Sequence, residues 1–223
     1  MPDIILASNS PRRRQLLAWT GWTFTISPVE IDEDPHPGEA PDLYVSRLAQ
    51  AKGRVRAQQA PPGSLVLAAD TTVADGMDVL GKPSDPEDAA QMLRRLRGHT
   101  HQVYTALSLV TAGSPAGDQS TSERCATNVP MRAYSEAEIA AYVATGDPLD
   151  KAGAYAIQHP GFHPVENFRG CFASVMGLPL CHLARAMTRL GFTPPNDIAA
   201  VCQANLEYAC PVTRAILRGE DAG

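Results

Sequence analysis

The sequence predicts an α/β domain. Short continuous apolar runs at residues 3–7 and 65–69 are typical of buried strands, and an amphipathic segment of helical period lies between them at residues 41–59. Strands that alternate with helices favour a sheet covered by helices. The chain has 223 residues, 44% of them hydrophobic, which is enough for one large α/β domain or two small ones.

Composition limits the partners that we expect. The formal net charge is −5 and the isoelectric point is about 5.6, so we expect neither a nucleic acid nor an anionic membrane surface as a partner. The densest basic cluster is Arg12-Arg13-Arg14, and such a cluster in an acidic protein favours a small anionic ligand. We expect no transmembrane helix, because no run of about 18 apolar residues occurs. We expect no signal peptide either, because residues 1–3 lead directly into a predicted strand.

The cysteines indicate a reducing compartment. They are Cys125, Cys171, Cys181, Cys202 and Cys210. An odd number without zinc-binding spacing argues against a disulfide framework and against a zinc site. We therefore expect a cytoplasmic protein.

The first strand, residues 3–7, is followed by a polar turn and a helix. Ser10 is a good N-cap, Pro11 suits the first helical position, and residues 12–18 continue the helix. The amide groups and the dipole of a helix start favour an anion. Ser8, Arg12 and Arg13 add donors suited to phosphate. The alternative is a capped helix with a solvated basic face, although arginines in a first turn oppose the helix dipole.

The next segments supply acidic and basic side chains. Residues 22–27 alternate as in a half-buried strand. Residues 29–35 form an acidic loop that includes Glu33, and hard cations such as Mg²⁺ prefer carboxylate oxygens. A solvated acidic surface is the alternative. In the helix at residues 41–59, Lys52 lies near the edge of the apolar face, where its long stem can reach into a cleft.

The second apolar strand, residues 65–69, is expected to end in Asp70, Thr71 and Thr72. Open α/β sheets bind ligands at the carboxyl ends of their strands. Asp70 is therefore a candidate general base or metal ligand. The alternative is a helix or turn cap. A turn at residues 75–76 follows. After it comes Lys82, which stands between a glycine and a proline.

The second half of the chain continues the α/β pattern. Asp85 is a plausible N-cap, and the Ser135-Glu136-Ala137-Glu138 sequence matches a capping box. The expected elements are a helix at 86–96, a β-hairpin of strands 102–110 and 120–132 with a turn at 112–117, a helix at 135–144, a strand at 165–173, a helix at 175–190, and one or two short helices after residue 196.

Three blocks of sequence are distinctive together, and they resemble the Maf family, also called septum-formation-inhibitor-like proteins. The resemblance runs from about residue 3 to residue 190. The blocks are Leu6-Ala7-Ser8-Asn9-Ser10-Pro11-Arg12-Arg13, Ala69-Asp70-Thr71-Thr72-Val73 with Leu80-Gly81-Lys82-Pro83, and Asp150-Lys151-Ala152-Gly153-Ala154-Tyr155-Ala156-Ile157-Gln158 with Gly177-Leu178-Pro179.

The resemblance implies a nucleoside triphosphate pyrophosphatase that uses a divalent cation, Mg²⁺ or Mn²⁺. It implies one domain over residues 1–192, with a long mixed twisted sheet flanked by helices, similar to the inosine triphosphatase fold and often a homodimer. Residues 193–223 would be a C-terminal helical extension of unknown role. Competing hypotheses are a nucleotide-sensing regulator of cell division and a metallo- or cysteine hydrolase that uses His99, His101, His159 or His163.

The resemblance also implies the site residues. The catalytic carboxylate falls on Asp70, which serves as base, metal ligand or both, and Glu33 is the second metal ligand. Phosphate-binding positions fall on Ser8, Arg12, Arg13, Lys52 and Lys82.

Positions that divide the family by substrate fall on Arg12, Thr71 and Gln158. These three residues resemble the subgroup that acts on dTTP and UTP rather than the subgroup that acts on 7-methyl-GTP. One departure from the family pattern lies nearby: Cys171 stands where an acidic residue is common.

Overall fold

The described strands form one mixed sheet of six strands in the computed structural model, which describes residues 3–113, 119–220 and 222–223. The strand order is β2-β1-β3-β5-β6, with β4 paired to β3. Strand β1 is parallel to β2 and β3, whereas β5 is antiparallel to β3 and β6. The mixed sheet expected from the resemblance is thus confirmed. The strands are β1 Ile4–Leu6, β2 Phe24–Ile26, β3 Leu65–Asp75, β4 Asp78–Leu80, β5 Thr100–Thr111 and β6 Ser120–Pro130.

Helices cover both faces of this sheet. Two short 3-10 helices, Asp147–Asp150 and Ala152–Ala154, lie in the third sequence block. The α-helices are α1 Pro11–Trp19, α2 Pro41–Gln58, α3 Pro86–Leu96, α4 Glu136–Ala144, α5 Phe172–Val175, α6 Leu180–Arg189, α7 Ile198–Leu206 and α8 Thr213–Leu217.

The predicted helix caps are present. Ser10 Oγ accepts from the Arg13 amide at the start of α1, and Asp85 Oδ1 accepts from the Asp88 amide at the start of α3. Ser135 forms the capping box of α4 with Glu138. Each cap satisfies an amide that has no partner inside its helix, which explains why these helices begin where the sequence predicts.

Alternation along β3 divides the core into two layers. Leu65, Leu67 and Ala69 pack in the larger apolar cluster, whereas Val66 and Ala68 pack in a smaller one that includes Ala57 of α2. Successive side chains of a strand point to opposite faces. Asp70 therefore faces α2, and its neighbour Thr71 faces the other layer.

Strand β3 continues to Asp75, so the prediction that it ends in Asp70, Thr71 and Thr72 was wrong. Pairing with β5 keeps β3 extended from Leu65 to Ala74. On its other edge β3 pairs with β1 only as far as Leu67, and β4 begins to pair at Val73. Among the described strands, none pairs with that edge at residues 68–72. Asp70 lies in the middle of this gap, where the sheet opens.

Two further predictions were wrong. Residues 165–173 form no strand: they contribute one bridge, from Val165 to Met131, because Asn167 adopts a left-handed conformation with φ 54°. The helix expected at 175–190 begins only at Leu180. Gly177 has φ 111° and Pro179 is the residue before α6, so the chain turns between α5 and α6. The short strand β4 was not predicted.

The hairpin of β5 and β6 is confirmed, although residues 114–118 of its predicted turn lie outside the described residues. Residues 196–220 contain α7 and α8, which pack on α6. Asn196 Nδ2 donates to Trp19 O at 2.9 Å, and Tyr208 Oη donates to Gly170 O at 3.1 Å. This segment therefore packs on the sheet domain. Among the helices described, none is both long enough and apolar enough to cross a membrane.

The buried side chain of His101 should make the free energy of unfolding depend on pH. It lies on β5 with its Nε2 2.8 Å from Tyr155 Oη, and burial, with a smaller effect of His99, lowers the pKa of His101 from 6.5 to about 4. Between these values the unfolded chain binds a proton here and the folded chain does not, so the free energy of unfolding falls as the pH falls through this window.

Chemical denaturation between pH 7 and pH 4.5 measures this effect. We expect the slope of unfolding free energy against pH to be steeper for the wild type than for His101→Gln, by up to about 1.4 kcal/mol per pH unit. Equal slopes for the two proteins would show that His101 is not held neutral by burial.

Candidate active site

A cleft of about 590 Å³ opens where β1 ends and β3 continues. Each of the three sequence blocks contributes to its walls. All of the site residues predicted from the sequence line this cleft: Ser8, Arg12, Arg13, Glu33, Lys52, Asp70, Thr71, Lys82 and Gln158.

The centre of the cleft holds an ammonium between two carboxylates. Lys52 Nζ lies 2.6 Å from Asp70 Oδ1 and 2.6 Å from Glu33 Oε1. The Lys52 and Asp70 side chains are about nine-tenths buried, whereas the Glu33 side chain is 56% exposed. Tyr44 Oη donates to Glu33 O at 2.8 Å and so ties the acidic loop to α2. Asp70 and Lys52 meet because they project from β3 and α2 toward each other.

This arrangement fits a divalent cation. Asp70 and Glu33 each present an oxygen to the same positive charge, and Mg²⁺ is commonly bound by one or two carboxylates together with substrate phosphates and water. Among the described residues, no group of three or more His, Cys, Asp or Glu side chains gathers to hold a metal. Asp70 and Glu33 are thus two carboxylates of this cleft that share one cationic partner and could hold a metal. Lys52 had been expected to bind phosphate, but here it pairs with both carboxylates.

Arg13 is held on the opposite side of β3 from Asp70. Its Nε donates to Gly177 O at 2.9 Å, its Nη2 to Thr71 Oγ1 at 3.1 Å and its Nη1 to Ser8 Oγ at 3.4 Å. A guanidinium has five N–H groups, so two remain for a ligand. Burial lowers the pKa of Arg13, and the nearby Asp70 carboxylate opposes that effect. Arginine keeps its charge in proteins, so the group meets the cleft as a cation.

Arg12 is connected to a second network that sequence reasoning missed. Its Nη1 lies 3.8 Å from Asp150 Oδ2. Buried Lys151 donates to Asp150 Oδ1 at 2.5 Å and to Asp147 O and Oδ1 at 2.6 and 3.0 Å. The Asp150-Lys151 pair opens the third sequence block, which is the one signal that could have identified it. The Asp150 carboxylate thus lies beside Arg12, and helix α1 itself contains no acidic residue that could pair with this arginine.

Lys82 and Gln158 are exposed in the cleft and make no hydrogen bond to another described residue. Their backbones are fixed by the contact between the second and third blocks, where the Gly153 amide donates to Gly81 O at 3.0 Å. A Cβ at Gly153 would lie 2.8 Å from Val73 Cγ1, so only glycine allows this approach. Both polar side chains are thereby held at the mouth of the cleft, free to meet a ligand.

The histidines of the metallo-hydrolase hypothesis are scattered. His99 Nε2 lies 3.2 Å from Asp75 Oδ1, and His159 Nδ1 accepts from the amides of Gly161 and Phe162. His101 is buried against Tyr155. These histidines stabilise turns and the core, and they do not lie together at one site.

Cys171, the departure from the family pattern, is buried and does not line the cleft. It precedes α5, and a hydrogen bond to Cys125 together with burial raises its pKa well above the ordinary value. A thiol held neutral in this way is a poor nucleophile. Cys171 therefore packs the loop after Gly170 and gives no support to a cysteine hydrolase.

Comparison with known proteins points to one family. A family model described as Maf-like protein matches residues 3–190. The dTTP/UTP pyrophosphatase of Myxococcus xanthus (strain DK1622) is 48% identical over 192 residues, which cover 86% of this chain and 94% of that protein. A protein of the same name from Thermomicrobium roseum is 42% identical over 217 residues, or 95% of this chain and 94% of its own, so the alignment extends into the C-terminal helices.

Among solved structures, the Ham1 protein of Staphylococcus aureus superposes with a TM-score of 0.42 at 12% identity, covering 92% of this chain and 98% of that one. The family model spans the whole sheet and all three sequence blocks, and those blocks meet in one cleft. The chain belongs to the Maf family.

Proposed function

We propose that this protein is a nucleoside triphosphate pyrophosphatase that prefers dTTP and UTP and releases the monophosphate and pyrophosphate. The observation that carries the proposal is the buried pair of Asp70 and Lys52 beside Glu33, in a cleft that also presents Arg12, Arg13 and Lys82. Relatives at 42–48% identity that cover most of the chain carry the name dTTP/UTP pyrophosphatase, which supports the same substrates.

The cationic side chains neutralise the triphosphate. A nucleoside triphosphate carries about four negative charges, and phosphoryl transfer depends on positioning and on charge stabilisation. Arg13 offers two N–H groups from a fixed plane, and Lys82 offers an exposed ammonium. Ser8 accepts two bonds at Oγ and keeps its proton for an anion. Arg12 exchanges its long contact with Asp150 for a phosphate oxygen.

Asp70 activates the attacking water. Lys52 occupies Oδ1, and Oδ2 makes no hydrogen bond to a described residue, so this second oxygen is available to accept a proton from water. The water oxygen forms a bond to the α-phosphorus as the bridging bond to the β-phosphate breaks, and pyrophosphate leaves. Lys52 holds the carboxylate of Asp70 in place through its bond to Oδ1.

A divalent cation, Mg²⁺ or Mn²⁺, would be held by Asp70 and Glu33, and when bound it supplies Lewis-acid stabilisation of the phosphate charge. Glu33 is exposed, on a loop, and so is the more adjustable of the two ligands.

The base is read at the mouth of the cleft. Gln158 carries an amide with both donor and acceptor, which can pair with a pyrimidine edge. Arg12 and Thr71 complete the specificity positions.

We also assign the protein to the cytoplasm. All five cysteines are free thiols, as expected where cellular thiols are kept reduced.

Asp70→Asn tests the catalytic proposal. The substitution keeps the shape of the side chain but removes the charge that a base or a metal ligand needs. We expect the rate of pyrophosphate release to fall at least about a hundredfold, which is the cost of losing a general base. The thermal unfolding transition should remain cooperative, which shows that the variant is folded. Residual activity above about a tenth of the wild-type rate would remove Asp70 from this role.

Asp75→Asn is the matched control for this variant. Asp75 lies on the same strand and contacts Arg95 and His99 outside the cleft. We expect its pyrophosphate release to match that of the wild type. A comparable loss in both variants would indicate a general effect of altering β3.

Base preference is tested with UTP and GTP in the same Mg²⁺ buffer. We expect kcat/KM to be higher for UTP, because a purine leaves unpaired the polar groups that would pair with the edge of the pyrimidine. Gln158→Ala should lower this ratio by reducing the UTP value. A wild-type ratio at or below one would exclude the pyrimidine preference and leave the pyrophosphatase proposal standing.

A further inference from the structure

We propose that Thr105, a buried threonine outside the cleft, is a positioning residue that orients Arg13 through Thr71. Thr105 lies on β5, opposite Thr71 in the register of β3 and β5, and its side chain is fully buried. The inference rests on the proposed function, because it concerns the arginine assigned there to the phosphates.

The hydrogen bonds fix the direction of each hydroxyl. Thr105 Oγ1 donates to Ser174 O at 2.8 Å, and a hydroxyl has one proton to donate. The 3.0 Å contact between Thr71 Oγ1 and Thr105 Oγ1 must therefore be donated by Thr71. Thr71 then has no proton left, and it meets Arg13 Nη2 as an acceptor at 3.1 Å. The chain runs from Arg13 to Thr71, to Thr105 and to Ser174.

The same turn anchors Arg13 twice. Ser174 O ends the hydroxyl chain, and Gly177 O accepts directly from Arg13 Nε. The Gly177 amide donates to Ser174 O at 2.9 Å, so the two carbonyl anchors are also linked to each other. Because a guanidinium is planar, these bonds with the one to Ser8 set its plane and the direction of its remaining N–H groups.

This chain changes the part assigned to Thr71. The resemblance places Thr71 among the positions that divide the family by substrate, and a hydroxyl there could in principle donate to or accept from a base. With its proton committed to Thr105, Thr71 can only accept, and Arg13 Nη2 already uses one of its lone pairs. Thr71 then affects substrate choice mainly by fixing the position of Arg13. A hydroxyl that donated directly to the base would act without Arg13.

A double-mutant cycle separates positioning from general stability. Thr105→Val removes the hydroxyl and keeps the branched shape, Thr105→Ser keeps the hydroxyl, and each is combined with Arg13→Ala. We expect Thr105→Val to lower kcat/KM for UTP about three- to tenfold, the range for one lost neutral hydrogen bond, and Thr105→Ser to restore it. In the Arg13→Ala background, Thr105→Val should change kcat/KM for UTP by less than about twofold.

Thr127→Val is the matched control. Thr127 is equally buried on the adjacent strand β6, where its Oγ1 contacts Cys125 Sγ at 3.6 Å, outside the chain of hydroxyls. Its kcat/KM should match the wild type in both backgrounds. If Thr105→Val does not fold, Thr71→Val enters the same cycle, because it breaks the chain at a half-buried position and should likewise lose its effect without Arg13.

An unchanged kcat/KM in Thr105→Val, or an equal loss with and without Arg13, would overturn the inference while leaving the pyrophosphatase proposal intact. If the wild type releases no pyrophosphate from any nucleoside triphosphate, the proposed function fails instead. The cycle is then measured on the dissociation constant of a non-hydrolysable UTP analogue. Non-additive effects there would support the positioning role of Thr105, and additive effects would contradict it.

Discussion

The ion pair of Lys52 and Asp70 is the interaction on which the site depends. Taking two charges out of water costs several kcal/mol for each ion, and a buried pair is weak as a source of stability. Its presence therefore points to function. The pair also constrains the fold: α2 must lie on the face of β3 that carries Asp70, at the height of Asp70, and the acidic loop must return over both so that Glu33 reaches the same ammonium.

Strand β3 carries Asp70 on one face and Thr71, which contacts Arg13, on the other. Asp70 faces α2 and the carboxylate centre, and Thr71, the next residue, faces Arg13 and the turn between α5 and α6. Successive residues of a strand point to opposite faces, so one dipeptide serves both. Because no described strand covers this edge of β3 at residues 68–72, a ligand in the gap can contact both sides at once. In this geometry the proposed phosphate-binding and proton-accepting groups can meet one ligand although they come from segments far apart in the chain.

Much of this could be predicted from sequence, and the failures have physical causes. Local signals identified the caps of α1, α3 and α4 and the hairpin of β5 and β6, because these depend on nearby residues. The extent of β3 depends on pairing with β5, which no local pattern reports. Residue types also suggested where Lys52 reaches, but only the structure shows that it pairs with Asp70 and Glu33. Asp150, Lys151 and Thr105 were missed because their contacts involve distant or buried partners.

In the proposed reaction a water attacks the α-phosphorus beside Asp70, and isotope labelling tests this step most directly. Wild-type protein hydrolyses UTP in water enriched in ¹⁸O, and mass spectrometry of both products locates the label. Attack at the α-phosphorus places the ¹⁸O in UMP and leaves the pyrophosphate unlabelled. Label in the pyrophosphate would mean attack at the β-phosphorus and would contradict the placement of the triphosphate in this cleft.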